Sequence, residues 1–168
     1  MRLIILHYVL LISLNAKGNG SDQPYALRVF VSSSMPVSLL KSYAYEAKKY
    51  GATLVFKGLP QDSFKELSKL VLAMNDGSLE EDNNMSGVQI DDEAFDRFKV
   101  TSVPSILLSD ESTCETPDLC KLAYDKIDGN LEIEVALQKF AKEGDMKDAA
   151  DRIMKQREVT QANSEAVK

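Results

Sequence analysis

Few residue types in this chain of 168 have chemistry to offer: two cysteines, one histidine and a run of serines. Cys114 and Cys120 stand six apart, across Glu115-Thr116-Pro117-Asp118-Leu119. That spacing can staple a loop as a disulfide, but two cysteines are too few for a zinc site. His7 lies in the first eighteen residues, which are expected to be removed. A chain without histidine has no Ser–His, Cys–His or His–metal chemistry. The serines fall in Ser32-Ser33-Ser34-Met35-Pro36. A hydroxyl cannot exchange disulfides, and it needs a base to become a nucleophile. Lys41 or Lys57 could formally serve, yet no spacing marks either as a partner. The acidic run Glu80-Glu81-Asp82 lacks the alternating ligands of a calcium loop. The expectation is therefore no catalytic residue, no metal site and no cofactor.

The elements that would position these residues begin after an address. Met1-Arg2, a nearly unbroken apolar run over 3–14 and the small polar residues that follow have the layout of a secretory signal peptide. The run is shorter than the roughly 20 residues of a membrane span. Residues 1–18 read as leader, with Ala16 at the −3 position, and 19–25 as a polar linker. No span is expected once the leader is cleaved, and the destination is the periplasm. In an oxidising compartment a close cysteine pair is most often a disulfide, with two free thiols or a regulatory pair as the other states. Lys and Arg number 20 against 26 Asp and Glu, a net charge of −6. That balance repels phosphate and argues against nucleic acid as a partner.

Residues 26–31 read as a buried strand, broken by the serine run. Ser34 is placed to cap a helix, with Pro36 in its first turn. Leu39, Leu40, Tyr43, Ala44 and Ala47 have helical spacing up to Gly51. Residues 53–56 make a second strand, and the strand–helix–strand unit implies a parallel pair. A helix over about 63–74 follows, with Phe64, Leu67, Leu70 and Val71 on one stripe. An acidic loop, a short extended piece at Val88-Gln89-Ile90 and a short helix capped by Asp91 or Asp92 come next. Residues 105–108 and 122–127 pair as a hairpin across the cysteine loop, and 131–140 is a helix with Ile133, Leu137 and Phe140 inward. The fold class is α/β: a central mixed sheet, parallel βαβ plus antiparallel hairpin, flanked by helices and carrying a helical insert. That is the thioredoxin-like plan over 26–143. Its hairpin-opening strand is entered here through Val103-Pro104, and the bond is expected to be cis.

Several ordered blocks then carry a resemblance. Val29-Phe30-Val31-Ser32-Ser33-Ser34-Met35-Pro36, Gly51-Ala52-Thr53-Leu54-Val55, Lys57-Gly58-Leu59, Gly87-Val88-Gln89-Ile90-Asp91 and Val100-Thr101-Ser102-Val103-Pro104 are similar to the TrbC family of F-type conjugative transfer systems. The resemblance implies a thioredoxin-like periplasmic protein needed to assemble the conjugative pilus. It also implies association with a TraW-like envelope protein and other parts of a type IV secretion machine.

In thioredoxin-like oxidoreductases a Cys-x-x-Cys opens the first helix, whose N-terminus lowers a thiol pKa. The serine run stands in that place here. Ser34, Met35, Val103 and Pro104 are therefore expected to line a groove for partners, in the manner of strand addition. The function expected is a non-enzymatic assembly factor, with a thiol–disulfide oxidoreductase or isomerase, or a pilin chaperone, as alternatives. Residues 144–168 read as a charged tail. Met146, Ala149, Ala150, Ile153 and Met154 lie on one helical face but are small or flexible, so a solvated tail or a docking helix is expected.

Overall fold

The computed structural model describes residues 25–75, 87–111 and 123–166. Its centre is the strand β1 (Tyr25–Val31), apolar on both faces because both are covered. The helix α1 (Val37–Tyr50) leads from it to β2 (Thr53–Phe56), which lies parallel to β1 with Arg28 opposite Thr53 and Val31 opposite Phe56. A single 3-10 turn (Pro60–Asp62) and α2 (Phe64–Met74) precede β3 (Val88–Ile90) and α3 (Asp92–Arg97). The chain returns as β4 (Ser105–Asp110) and β5 (Tyr124–Asp128), then closes with α4 (Ile133–Glu143) and α5 (Lys147–Ala166).

The sheet order is β3-β2-β1-β4-β5. β3 runs parallel to β2, while β4 is antiparallel to both β1 and β5. β3 adds an edge strand where only an extended piece was expected, since three residues are too few to show an alternation.

Side chains alternate across the sheet and so divide the core. Leu27, Val29 and Val31 join Leu40, Tyr43, Val71, Ile133 and Leu137 on one face. Phe30, Val55 and Leu107 meet Ala94, Phe95 and Phe98 of the α3 segment on the other. There Phe30 and Phe95 pack edge to face, with ring centroids 4.9 Å apart.

α3 is only two turns long and owes its shape to its ends. The Asp91 carboxylate accepts the Ala94 N–H at 2.8 Å, a capping contact. At the other end the Lys99 N–H donates to the Asp96 carbonyl and the Val100 N–H to the Phe95 carbonyl, the paired bonds of a Schellman motif. Its left-handed position, φ 52°, is held by Lys99 instead of glycine. The Lys126 ammonium donates to the Phe98 and Lys99 carbonyls and offsets some of that strain. Lys99→Gly should stabilise the protein by about 0.5–1 kcal/mol, read as a higher urea midpoint at unchanged slope.

α5 corrects an expectation. Its apolar stripe is not left for solvent or a partner: Met146, Ala149, Ala150 and Ile153 are all buried in the larger core cluster. The helix starts on an anchor, because the Asp125 carboxylate of β5 accepts the N–H groups of Asp145 at 2.8 Å and Met146 at 2.9 Å. Further along, Arg157 donates to Glu134 of α4 at 3.1 Å and lies over the Tyr50 ring of α1. Tyr50 also donates to Glu134. This bond and the Arg157 charge hold the Glu134 carboxyl below its ordinary range, and burial with the Glu134 contact pushes the Tyr50 phenol up.

Phe64 is the other departure. It has the right spacing for the inward stripe of α2 but is 73% exposed: it is the first helical residue and, among the described residues, joins neither core cluster. Ser63 occupies the N-cap position of that helix without a side-chain capping bond.

Candidate functional site

Pairing of Phe30 with Ser105 brings the C-terminal end of β1 beside the N-terminal end of β4. The serine run and the Val103-Pro104 dipeptide are therefore neighbours at one end of the sheet, although about seventy positions separate them in the chain. Ser32 to Met35 form a tight turn. The Met35 N–H donates to the Ser32 carbonyl at 3.1 Å, and the Ser32 N–H points back at the Met35 sulfur at 3.4 Å. The Ser32 hydroxyl accepts the Ser34 N–H at 3.2 Å and lies 2.8 Å from the Ser34 hydroxyl.

Ser34 does not cap α1. Pro36 occupies the N-cap position in an extended conformation, ψ 134°, and no side chain caps the helix. The reason is local: the Ser34 hydroxyl is engaged by Ser32, and Pro36 inserts one extended residue before the first helical turn. Its carbonyl then accepts the Leu39 and Leu40 N–H groups.

The Val103–Pro104 peptide bond is cis. Pro104 is buried, and its carbonyl accepts the Gly129 N–H at 2.8 Å, while Ser105 donates to Asp128 at 2.6 Å. These bonds fix the start of β4 to the end of β5. Met35 is half-buried against the larger core cluster, and Val103 against the smaller one. Met35 and Val103 thus pack against different core clusters on opposite faces of the sheet, and Ser34 is exposed. The arrangement offers an uncharged, partly apolar edge with hydroxyls. Lys57, one formal partner for a serine, instead lies over the Phe95 ring at 5.9 Å.

Burial and hydrogen bonds shift three further titratable groups. The Glu46 carboxylate accepts the Ile133 N–H at the start of α4; burial raises its pKa, and that bond only partly opposes the shift. Burial likewise pushes up the Tyr43 phenol, which donates to Asn130 and Leu131. Burial acts on Glu111 too, but its bonds from Arg28 and Ser109 outweigh it and hold the carboxyl below its usual range. Cys114 and Cys120 lie outside the described residues. Among the described residues no group of three His, Cys, Asp or Glu could hold a metal ion, and no helix is long and apolar enough to cross a membrane.

Sequence reasoning missed the bend that precedes α2. Gln61 and Asp62 both adopt positive φ, 50° and 52°, directly before the exposed Phe64. Neither is glycine, so no residue type announced it.

The family described as type-F conjugative transfer system pilin assembly protein matches residues 29–140. A curated relative, the periplasmic protein TrbC of Escherichia coli strain K12, is 31% identical over 135 residues, covering 80% of this chain and 56% of that protein. The chain thus spans about half the length of the curated relative it matches. No solved structure matches.

Proposed function

The chain belongs to the TrbC family of type-F conjugative transfer systems, and from that premise we propose that it is an assembly factor for the conjugative pilus that works by protein contacts rather than by catalysis. It is periplasmic, like the relative. The observation that carries the non-catalytic reading is the Ser32–Met35 turn. It stands at the start of α1, the position where a redox relative would hold its thiol pair, and its hydroxyls bond to each other and to backbone.

The thioredoxin-like assignment is part of the same proposal. A parallel β1-α1-β2 unit and an antiparallel β4-β5 hairpin joined through a cis-proline support it. Ser34, Met35, Val103 and Pro104 then form the groove that receives an extended segment of a partner, of which a TraW-like envelope protein is the first candidate. Met35 supplies an adaptable apolar contact.

Met35→Asp and Val103→Asp test it. Each would set an unpaired carboxylate into the contact, at a cost of several kcal/mol, so partner affinity should fall by roughly 100-fold or more. Both side chains also pack against the core, so the melting temperature should fall as well and affinity is measured below each variant's transition; pilus production should fall with affinity. Wild-type affinity and piliation in both variants would refute the groove. Insulin reduction by the purified protein under dithiothreitol would refute the non-catalytic reading. Cys114 and Cys120 are proposed to form a structural disulfide. Alkylation of periplasmic protein without reductant should label neither, and two labelled cysteines in the mass spectrum would exclude the bond.

A further inference from the structure

We propose that β5 is a dimerisation edge, which pairs antiparallel with β5 of a second copy of this chain in a register centred on Ile127. It does not depend on the groove at Pro104. β5 ends the sheet, and among the described residues β4 is its one strand neighbour. The Asp110 N–H donates to the Ala123 carbonyl, and the Gly129 N–H to the Pro104 carbonyl. Residues along an antiparallel pair alternate between bonded and non-bonded positions. Ala123, Asp125, Ile127 and Gly129 therefore turn their backbone groups to β4. Tyr124, Lys126 and Asp128 turn theirs outward, where no described strand meets them.

Sheet edges that must stay apart are commonly broken by proline, by a bulge or by a lysine aimed off the edge. β5 has no proline and pairs with β4 in unbroken register. Its lysine is folded over the sheet: the Lys126 ammonium donates to the Phe98 and Lys99 carbonyls and lies 3.8 Å from the Asp128 carboxylate. The opposite edge offers less, since β3 is three residues long.

Side chains choose both the occupant and the register. A bonded pair needs an outward residue on each copy. Setting Lys126 or Asp125 opposite itself brings like charges face to face, which is destabilising. Setting Ile127 opposite itself removes both conflicts. Lys126 of each copy then faces Asp128 of the other, and the half-buried Ile127 side chains meet on the two-fold axis. Asp125 faces Gly129, which has no side chain to clash. Neither charge has to leave its own contacts. Lys126 and Asp128 already lie side by side on one face, and the second copy sets the same pair against them in reverse order. One short strand from each copy makes an interface at the small end of the specific range, so a dissociation constant of about micromolar or weaker is expected.

Sedimentation equilibrium of the purified periplasmic protein should show a concentration-dependent monomer–dimer equilibrium. Lys126→Asp and Asp128→Lys each put like charges opposite one another and should weaken the dimer about tenfold or more. An equimolar mixture of the two variants restores opposite charges across the edge and should dimerise like wild type. Should either variant fail to fold, Ile127→Cys decides. Non-bonded antiparallel partners lie about 4.5 Å apart at Cα, within reach of a disulfide. In the periplasm that variant should give a covalent homodimer on a non-reducing gel, and Gln89→Cys on the β3 edge should not. Four results would overturn the proposal: a wild-type chain still monomeric at about 1 mM, folded charge variants that dimerise as tightly as wild type, a mixture of them no tighter than its components, or a position-127 adduct that is absent, matched at position 89 or made to a different protein.

Discussion

Removing the chain after Gly144 is expected to unfold the domain rather than trim it. Ala150 is fully buried and Met146, Ala149 and Ile153 nearly so, all within the larger core cluster. Loss of α5 would uncover Tyr50, Leu137 and Phe140, which share that cluster. It would also strip Arg157 from Glu134. Burying one large apolar side chain contributes about 1.5–3 kcal/mol, and a domain's whole stability is only about 5–15 kcal/mol. The truncated protein should show no cooperative thermal transition at the wild-type position. The milder Ile153→Ala should cost roughly 2–5 kcal/mol, read from urea unfolding. A truncated protein that melts like wild type would return α5 to the role of a solvated tail.

Gly144→Ala should be nearly as damaging for the smallest possible change. A Cβ there would lie 2.0 Å from the Asp125 carboxylate oxygen and 2.8 Å from the Phe140 carbonyl. The backbone at Gly144 is extended, so the conflict is one of space and not of conformation. The carbonyl belongs to α4 and cannot give way, so Asp125 must leave the Asp145 and Met146 N–H groups. Hydrogen bonds to a charged acceptor contribute about 1.5–3 kcal/mol each, and the carboxylate also offsets the helix dipole. A loss of about 2–4 kcal/mol is expected. Asp125→Ala should cost a similar amount, and the double variant little more than either alone, because both remove the same anchor. Fully additive losses would show that Gly144 matters for another reason.

The parts legible in the sequence were those with a strong local signal. The β-branched run of β1, the helical spacing of α1 and the inward Ile133, Leu137 and Phe140 of α4 all fall where the pattern put them. The parts that were not legible depend on what lies opposite. Ala149 and Ala150 look too small to hold a helix, yet small side chains let α5 settle closely on α4. Phe64 fits an inward stripe but, among the described residues, joins neither core cluster. Ser34 is a good cap by type, and Pro36 took the position. At the candidate site, the nearness of the serine run to Val103-Pro104 was legible only through the strand order. The Gln61–Asp62 bend had no signal in residue type.

The position of β1 in the sheet also orders events in time. Its antiparallel partner β4 pairs Tyr25 with Asp110, about eighty-five positions later in the chain. A strand made early therefore waits for one made late, and such long-range pairing slows folding. In the interval Leu27, Val29, Phe30 and Val31 are an open apolar edge of the kind on which chains aggregate. A chain threaded across a membrane with its N-terminus leading meets this hazard at the exit, before β4 has emerged. Pairing with β4 is what closes that edge.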